Sequence, residues 1–428
     1  MQKLILLFLL ISLVVMPKYS VAQKFSLDGE FRPRMEFRDG FKKPLADSVN
    51  SELIVLQRSR LTFDYASNSV NSRFTLQDAR VWGQEDNKGG TTKLGIFEAW
   101  AEMLLTSGLS VQFGRQALSY DDQRLFSVSN WSNTGSAHDA ILIKYKETGL
   151  QAHLGFAYNN TNDTLFQYQY NVKGFYQTLG LLWLSKQLFP SMNCSLIGIG
   201  EGLQKSTTPR PTAGRFTLGE NVVYQNDSSD INGSFTLYHQ GGRDANFKKL
   251  HSFLVAAKIF YRIIPELQLM GGTDYYSGTA YNADTAHESF TFNKLYGLNH
   301  SFNGSMEYWA TPPSGGLVDY FGGIIYKPGV AWSINLTGHV FGISQEMKDK
   351  TGIMIEKNIG SEIDCSVNYQ WSKEITIQGG CSKYFITTAT KQVNALFDAQ
   401  QHILETKAPT WMYLSLSIKP SFFKYSVQ

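Results

Sequence analysis

Long apolar runs are almost absent from this 428-residue chain. The one exception, residues 4–16, is too short for a spanning helix, which needs about 20 apolar residues. No later stretch approaches that length, so the chain does not read as a helical membrane protein. Cysteine is scarce: Cys194, Cys365 and Cys381 are an odd, sparse set and make no disulfide framework. The sequence contains no GxSxG, HExxH or Walker loop. Its eight histidines are scattered, with no two at metal-ligand spacing, so the sequence implies neither metal, cofactor nor enzymatic activity. A dominant charge is also missing. Lys3 and Lys18 fall in the N-terminal segment, leaving 37 basic residues against 36 acidic ones, which gives no support for binding nucleic acid.

The N-terminus reads as a secretory signal over residues 1–22. Lys3 opens it, an apolar core follows, and Ser20 and Ala22 supply small residues before a cut ahead of Gln23. The rival reading is a short membrane anchor. No cysteine follows the cut, so a lipoprotein anchor is not indicated.

What the chain has in abundance is alternation. In FSLDGEFRPRMEF, residues 25–37, the odd positions are Phe25, Leu27, Gly29, Phe31, Pro33, Met35 and Phe37. The even positions are Ser26, Asp28, Glu30, Arg32, Arg34 and Glu36. Successive strand side chains point to opposite faces, so one face is apolar and the other nearly all charged. A long strand that is apolar outside and ionic inside fits a transmembrane β-barrel around a wet lumen. The pattern repeats. Residues 53–66 set Val55, Leu61, Phe63 and Tyr65 against Arg58, Arg60, Thr62 and Asp64. Residues 73–82 form a third strand, in which a bulge near Gln77 is needed to turn Asp78 and Arg80 inward. Residues 96–105 form a fourth, with Glu98 and Glu102 opposite Phe97, Ala99, Ala101 and Met103.

Connections alternate between short turns and long polar loops along the whole chain, the rhythm of outer-membrane barrels with short periplasmic turns. Counting through to residue 419 gives an all-β, antiparallel barrel of about 18 strands with both ends periplasmic, occupying residues 23–428 as one domain. Aromatic residues make up 14% of the chain, enough for girdles at both membrane interfaces. Cys365 and Cys381 would lie opposite each other across a turn near Lys373; two small lipid-facing side chains and a bonded pair are both compatible with that position.

Three stretches are more specific: LQDARVWG (76–83), GRQALSYDDQRLFSVSNWSNTGSAHDA (114–140) and LYGLNHSFNGSMEYW (295–309). They resemble the alginate export family of outer-membrane barrels in the Gly-Arg-Gln strand end, the Tyr…Arg-Leu loop with its Trp, and the His…Phe-x-Gly-x-Met-Glu segment. One departure is that Gly135-Ser136-Ala137-His138-Asp139 stands where the family pattern has Gly-Arg-x-x-Asp, which removes one cation from the loop. The resemblance implies a passive 18-stranded channel for an acidic polysaccharide or its fragments, embedded in outer-membrane lipid as a multi-pass protein. A general or nutrient-uptake porin for small solutes is the alternative on the same barrel.

The residues agree on a channel but not on its sign. Arg32, Arg34, Arg58, Arg60, Arg73 and Arg80 face inward with Asp28, Glu30, Glu36, Asp64, Asp78, Glu98 and Glu102. Such a set makes either a salt-bridge lattice that stiffens the wall or an arginine rung that passes carboxylates along, since guanidinium forks match carboxylates. Arg115 and Asp139 extend the set at the ends of their strands. The 119–137 loop is long enough to fold into the pore, with Tyr120, Arg124 and Trp131 as candidates for constriction or sugar stacking.

Overall fold

The computed structural model describes residues 23–85, 94–160, 163, 176–204 and 212–427. The expected leader, residues 1–22, lies outside them. The first strand, β1 (Gln23–Asp39), is the alternating stretch itself. Then come β2 (Glu52–Ala66), β3 (Val70–Val81), β4 (Gly95–Leu104), β5 (Leu109–Gln116), β6 (His138–Glu147) and β7 (Leu150–Tyr158). The next group is β8 (Thr178–Phe189), β9 (Met192–Gln204), β10 (Thr212–Tyr224), β11 (Ile231–Arg243), β12 (Lys249–Ile264) and β13 (Leu267–Tyr276). A two-residue strand, β14 (Glu288–Ser289), lies in a loop beside β12. The wall resumes with β15 (Leu317–Tyr326), β16 (Trp332–Gly342), β17 (Asn358–Gln370) and β18 (Ile375–Phe385). A one-and-a-half-turn helix, α1 (Thr388–Val393), precedes β19 (Thr410–Ile418) and β20 (Ser421–Val427).

Each wall strand pairs antiparallel with its neighbours. The sheet closes because β1 pairs with β2 on one side and with β19 and β20 on the other. β19 and β20 are two halves of one stave, interrupted at Lys419–Pro420, where proline has no N–H to give the ladder. With β14 outside the wall, the barrel has 18 strands. Closure leaves no open edge, the condition under which strands can cross lipid. Gln23 lies opposite Val427, so both ends of the barrel chain sit at the short-turn rim.

The faces follow the alternation. Phe31, Met35, Phe113, Ile141, Leu154, Phe235, Ile259 and Leu414 are exposed on the outside. Aromatic side chains gather next to the short turns, among them Tyr145, Phe189, Tyr224, Tyr261, Tyr326 and Trp332, all exposed. They form the girdle expected at the periplasmic interface. Cys365 and Cys381 are register partners, and both are free thiols.

The buried apolar cluster is not where a soluble protein would have it. Leu118, Tyr120, Leu125 and Phe126 come from the 117–137 loop, and Phe292, Met306, Tyr308 and Trp309 from the 277–316 loop. They pack against inward wall residues such as Tyr276, Phe341, Tyr384 and Trp411. The core therefore lies inside the barrel, built from loops that enter at the long-loop end.

Candidate functional site: a lumen narrowed by inserted loops

The arginine rung is assembled by the first hairpin. Arg32 lies opposite Arg58, and Glu30 opposite Arg60, so four guanidinium groups with Arg34 share one level of the inner wall. They do not face an open lumen. Arg32 donates to the carbonyl oxygens of Asn130 (2.5 Å) and Ser132 (2.8 Å). Arg34 donates to Trp131 O at 2.7 Å, Arg58 to Asn130 O and Ser132 O at 3.2 Å each, and Arg60 to Thr134 O at 3.2 Å. Arg58 also reaches the Asn130 side chain at 2.8 Å. The rung is a clamp that grips the backbone of segment 130–134. These loop carbonyls lie outside any strand ladder, and the arginines supply their donors.

Acids complete the lattice. Arg58 bridges Glu30 at 2.6 Å and is 1% exposed. Glu36, equally buried, is shared by Arg34 (2.7 Å), Arg38 (2.9 Å) and the Trp411 indole N–H (3.1 Å). Nearer the periplasmic rim, Arg73 bridges Asp64 (2.7 Å) and approaches Glu98 (3.8 Å). Asp28 accepts from Ser26 at 2.9 Å, and Glu102 accepts from Asn71 and pairs with Lys144 at 3.3 Å.

Four of the residues expected in the lumen are elsewhere. Asp78 and Arg80 oppose Ser59 and Gln57, on the same face as Phe74 and Leu76. The β2–β3 register runs without a break, so no bulge at Gln77 turns them inward. The irregularity sits on β4 instead, where Thr75 opposes Glu98 and Leu76 opposes Ile96. The extra residue, Phe97, is buried with its ring 3.7 Å from the Arg60 guanidinium carbon. Phe97 thus leaves the apolar outer face on which the alternation placed it. Asp78 and Arg80 pair with each other on the outside at 2.7 Å. Arg115 and Asp139 share the parity of exposed Phe113 and Ile141 and form a half-exposed outer pair at 3.1 Å. Neighbouring Gln116 takes the inward position, donating to Ala140 O at 2.8 Å.

The 117–137 loop does fold into the barrel. Trp131 stacks face to face on His300 from the 277–316 loop, centroids 3.8 Å apart, with the Arg34 guanidinium 4.1 Å from its ring. Trp411 and Tyr413 close its edges. Tyr120 is buried among Phe126, His153 and Trp183, and burial raises its phenol pKa. Neither ring is a free stacking platform. Arg124 is 4% exposed and forks onto Asp274 with two 2.8 Å bonds, bridging Asp122 at 2.6 Å as well. Burial disfavours its charge, but Asp274, Tyr276 and Asp122 outweigh that and keep it cationic. Burial raises the pKa of Asp121, against the donors Ser195 and Trp183.

Loop insertion requires unusual backbone. Asp121, Gln123, Ser129, Leu295, Asn303 and Glu307 all have positive φ, a conformation that persists only where surroundings fix it. At Gly135 (φ +78°) a Cβ would meet Arg60 Nη2 at 2.7 Å, and at Gly304 (φ +84°) it would meet the Glu362 carboxylate at 2.6 Å. Both glycines let the loops press against the wall. In the 277–316 loop, Met306 N–H donates to Glu362 Oε1 at 2.7 Å and Glu307 bridges Lys42 at 2.9 Å. Lys294 is buried in the same loop, its Nζ 3.0 Å from Ala310 O. Desolvation, reinforced by Arg124, lowers its pKa to about 7.

Below the loops the lumen stays open as a series of cavities. One of about 320 Å3 is lined by Arg124, Lys258, Asp274, Phe321, His339 and Asp364, among others. A second, of about 720 Å3, shares Lys258 and adds Asp121, Asp122, Trp183, Asn193 and Gln268. A third, of about 810 Å3, shares Ser185, Asn193 and Gln225 with the second and reaches the short turns at Gly149, Pro190 and Asn226. The wall acids here, Asp274, Asp319 and Asp364, come from β13, β15 and β17, and Asp121 and Asp122 come from the inserted 117–137 loop. Asp319 pairs with His339 at 2.9 Å, and Asp364 lies 3.7 Å from the same ring. The alternation of the first four strands does not reach this part of the lining. The same alternation in β12 to β17 marks Lys258, Asp274, Asp319 and Asp364. Among the described residues, no group of three or more His, Cys, Asp or Glu is arranged to hold a metal ion.

Comparison with known proteins agrees with this geometry. The sequence model of the alginate export family matches residues 23–158, which contain β1 to β7 and the inserted 117–137 loop. Curated proteins give no match. Among solved structures, Pseudomonas aeruginosa OccK10 (OpdN) is similar with a TM-score of 0.62 and 11% identity, over 93% of this chain and 99% of that one. Acinetobacter baumannii OccAB4 gives 0.61 and 10%, over 95% and 100%. The outer membrane protein opdK of Pseudomonas aeruginosa gives 0.62 and 11%, over 94% and 99%. The resemblance to alginate export barrels thus extends over residues 23–158, and the fold is that of outer-membrane porins. The chain is a multi-pass outer-membrane barrel.

Proposed function

We propose that this barrel, a channel by fold, passes small hydroxylated or acidic solutes passively, short uronate fragments among them, and does not conduct an intact polyuronate strand. One observation carries the reading: Arg32, Arg34, Arg58 and Arg60 are engaged with the carbonyls of segment 130–134, so the rung anchors a constriction. An extended polyanion would need those guanidinium groups free along its path. Residues 1–22 would direct export and be removed ahead of Gln23, where β1 begins.

Polysaccharide export is the second reading, favoured by the family match over residues 23–158. Liposomes containing the protein separate the two. Swelling in glucuronate and in small neutral sugars, with none in polyuronate of tens of residues, supports the first. Passage of the polymer, or its tight block of single-channel current, supports the second.

A further inference from the structure

Lys258 occupies a singular place in the open passage. It lies mid-strand on β12 with an inward side chain, since its neighbour Ile259 is exposed on the outer face. It lines both the 320 Å3 cavity and the 720 Å3 cavity, and so stands where they meet. Among the described residues no carboxylate lies within ion-pair distance of its Nζ, whose near neighbours include the Phe321 and Phe260 rings at 5.4 and 5.9 Å. The other basic residues of these cavities are engaged: Arg124 with Asp274 and Asp122, His339 with Asp319 and Asp364, and His300 against Trp131.

Around Lys258 the lining is acidic. Asp274, Asp319 and Asp364 border the 320 Å3 cavity, and Asp121 and Asp122 border the 720 Å3 cavity. Carboxylates accept hydrogen bonds and donate none. A solute that rests here must offer donors to them, and at most one negative charge to Lys258. A second or third charge on the same solute would face the acids, at distances where screening over about 8 Å leaves repulsion in force. Thr337, Asn335 and Ser366 add small polar contacts, and Phe321 and Phe302 add apolar faces.

We propose that Lys258 is the specificity-determining residue of the passage, docking the single carboxylate of a hydroxylated monosaccharide acid whose hydroxyls donate to the surrounding aspartates. A cavity of about 320 Å3 suits a ligand of that size and not a polymer segment. The inference rests on the channel reading and deepens it.

The experiment uses the full barrel in planar bilayers, with glucuronate as probe, glucose as neutral control and polyuronate as the multivalent control. Heat-modifiable gel mobility and salt conductance verify folding of each variant. In the wild type, glucuronate should interrupt the current and glucose should not. Lys258→Gln should weaken glucuronate block by roughly tenfold or more, the worth of a charge-assisted hydrogen bond. Lys258→Arg should keep most of the block. Undiminished block in a conducting Lys258→Gln, or polyuronate block tighter than glucuronate block, would overturn the docking role while leaving the channel intact. A wild type that passes no ions would overturn the channel reading, and the docking role with it.

Discussion

Two neighbouring side chains on β1 and β2 show how differently the faces of this wall are built. Phe31 is 41% exposed on the lipid side, and Arg58 is 1% exposed on the inner side. Phe31→Arg should cost roughly 2–4 kcal/mol, the depth-dependent penalty for a cation at the bilayer midplane. Arg58→Gln should cost about 3–5 kcal/mol, because it leaves Glu30 buried without its bridging cation and removes one of the two arginines that hold Asn130 O and Ser132 O. Arg115→Gln breaks a half-exposed outer pair and should cost no more than about 1 kcal/mol. Urea titration of the folded barrel in lipid ranks the three. If Arg58→Gln proves as mild as Arg115→Gln, the clamp is not stabilising. At this scale the alternation of β1 and β2 placed Arg32, Arg34, Arg58 and Arg60 on the inner face, and the hairpin register sets them at one level. It misplaced Asp78 and Arg80 because the bulge belongs to β4. Phe97 turns inward to cover Arg60 and the loop, a non-local contact that no local pattern encodes.

The inserted loops are the elements that give the barrel its character. Their length was legible, and so was the expectation that 119–137 enters the pore. Their attachment was not, because the acceptors are backbone carbonyls of Asn130, Trp131, Ser132 and Thr134, which leave no mark on residue identity. The 277–316 loop should respond to pH through Lys294. Its buried amine has a pKa of about 7, and a detached loop restores the ordinary, higher value. The detached state therefore binds more protons than the seated one between about pH 7 and the ordinary lysine pKa of about 10.4. Seating strengthens as pH rises from about 7, by at most about tenfold per unit, and is weakest below that point, where the amine is charged in both states. Protease cleavage within 277–316 should be faster at pH 6 than at pH 9. Lys294→Met should flatten that dependence. Equal pH dependence in the variant would assign the effect to other groups.

At the scale of the whole molecule, charge is divided between the clamp and the open cavities. Arginines of β1 and β2 hold the loops, while acids of β13, β15 and β17 border the open cavities. Near-neutral composition hid this arrangement, since a balanced total says nothing about which charges stay open to solvent. Replacing Arg58 and Arg60 together by Gln should therefore change loop seating and conductance noise more than ion preference. A reversal potential in a salt gradient checks this, and a large shift toward cations with unchanged noise would mean that the rung is open after all.

The central claim is that loops clamped inside an 18-stranded barrel set the size of its passage. Single-channel conductance of the wild type and of a variant with 121–134 replaced by a short Gly-Ser linker tests it most directly. The account predicts a severalfold larger, noisier conductance in the variant, because the clamp loses its segment and Trp131 leaves His300. Equal conductance with unchanged selectivity in a folded variant would contradict it.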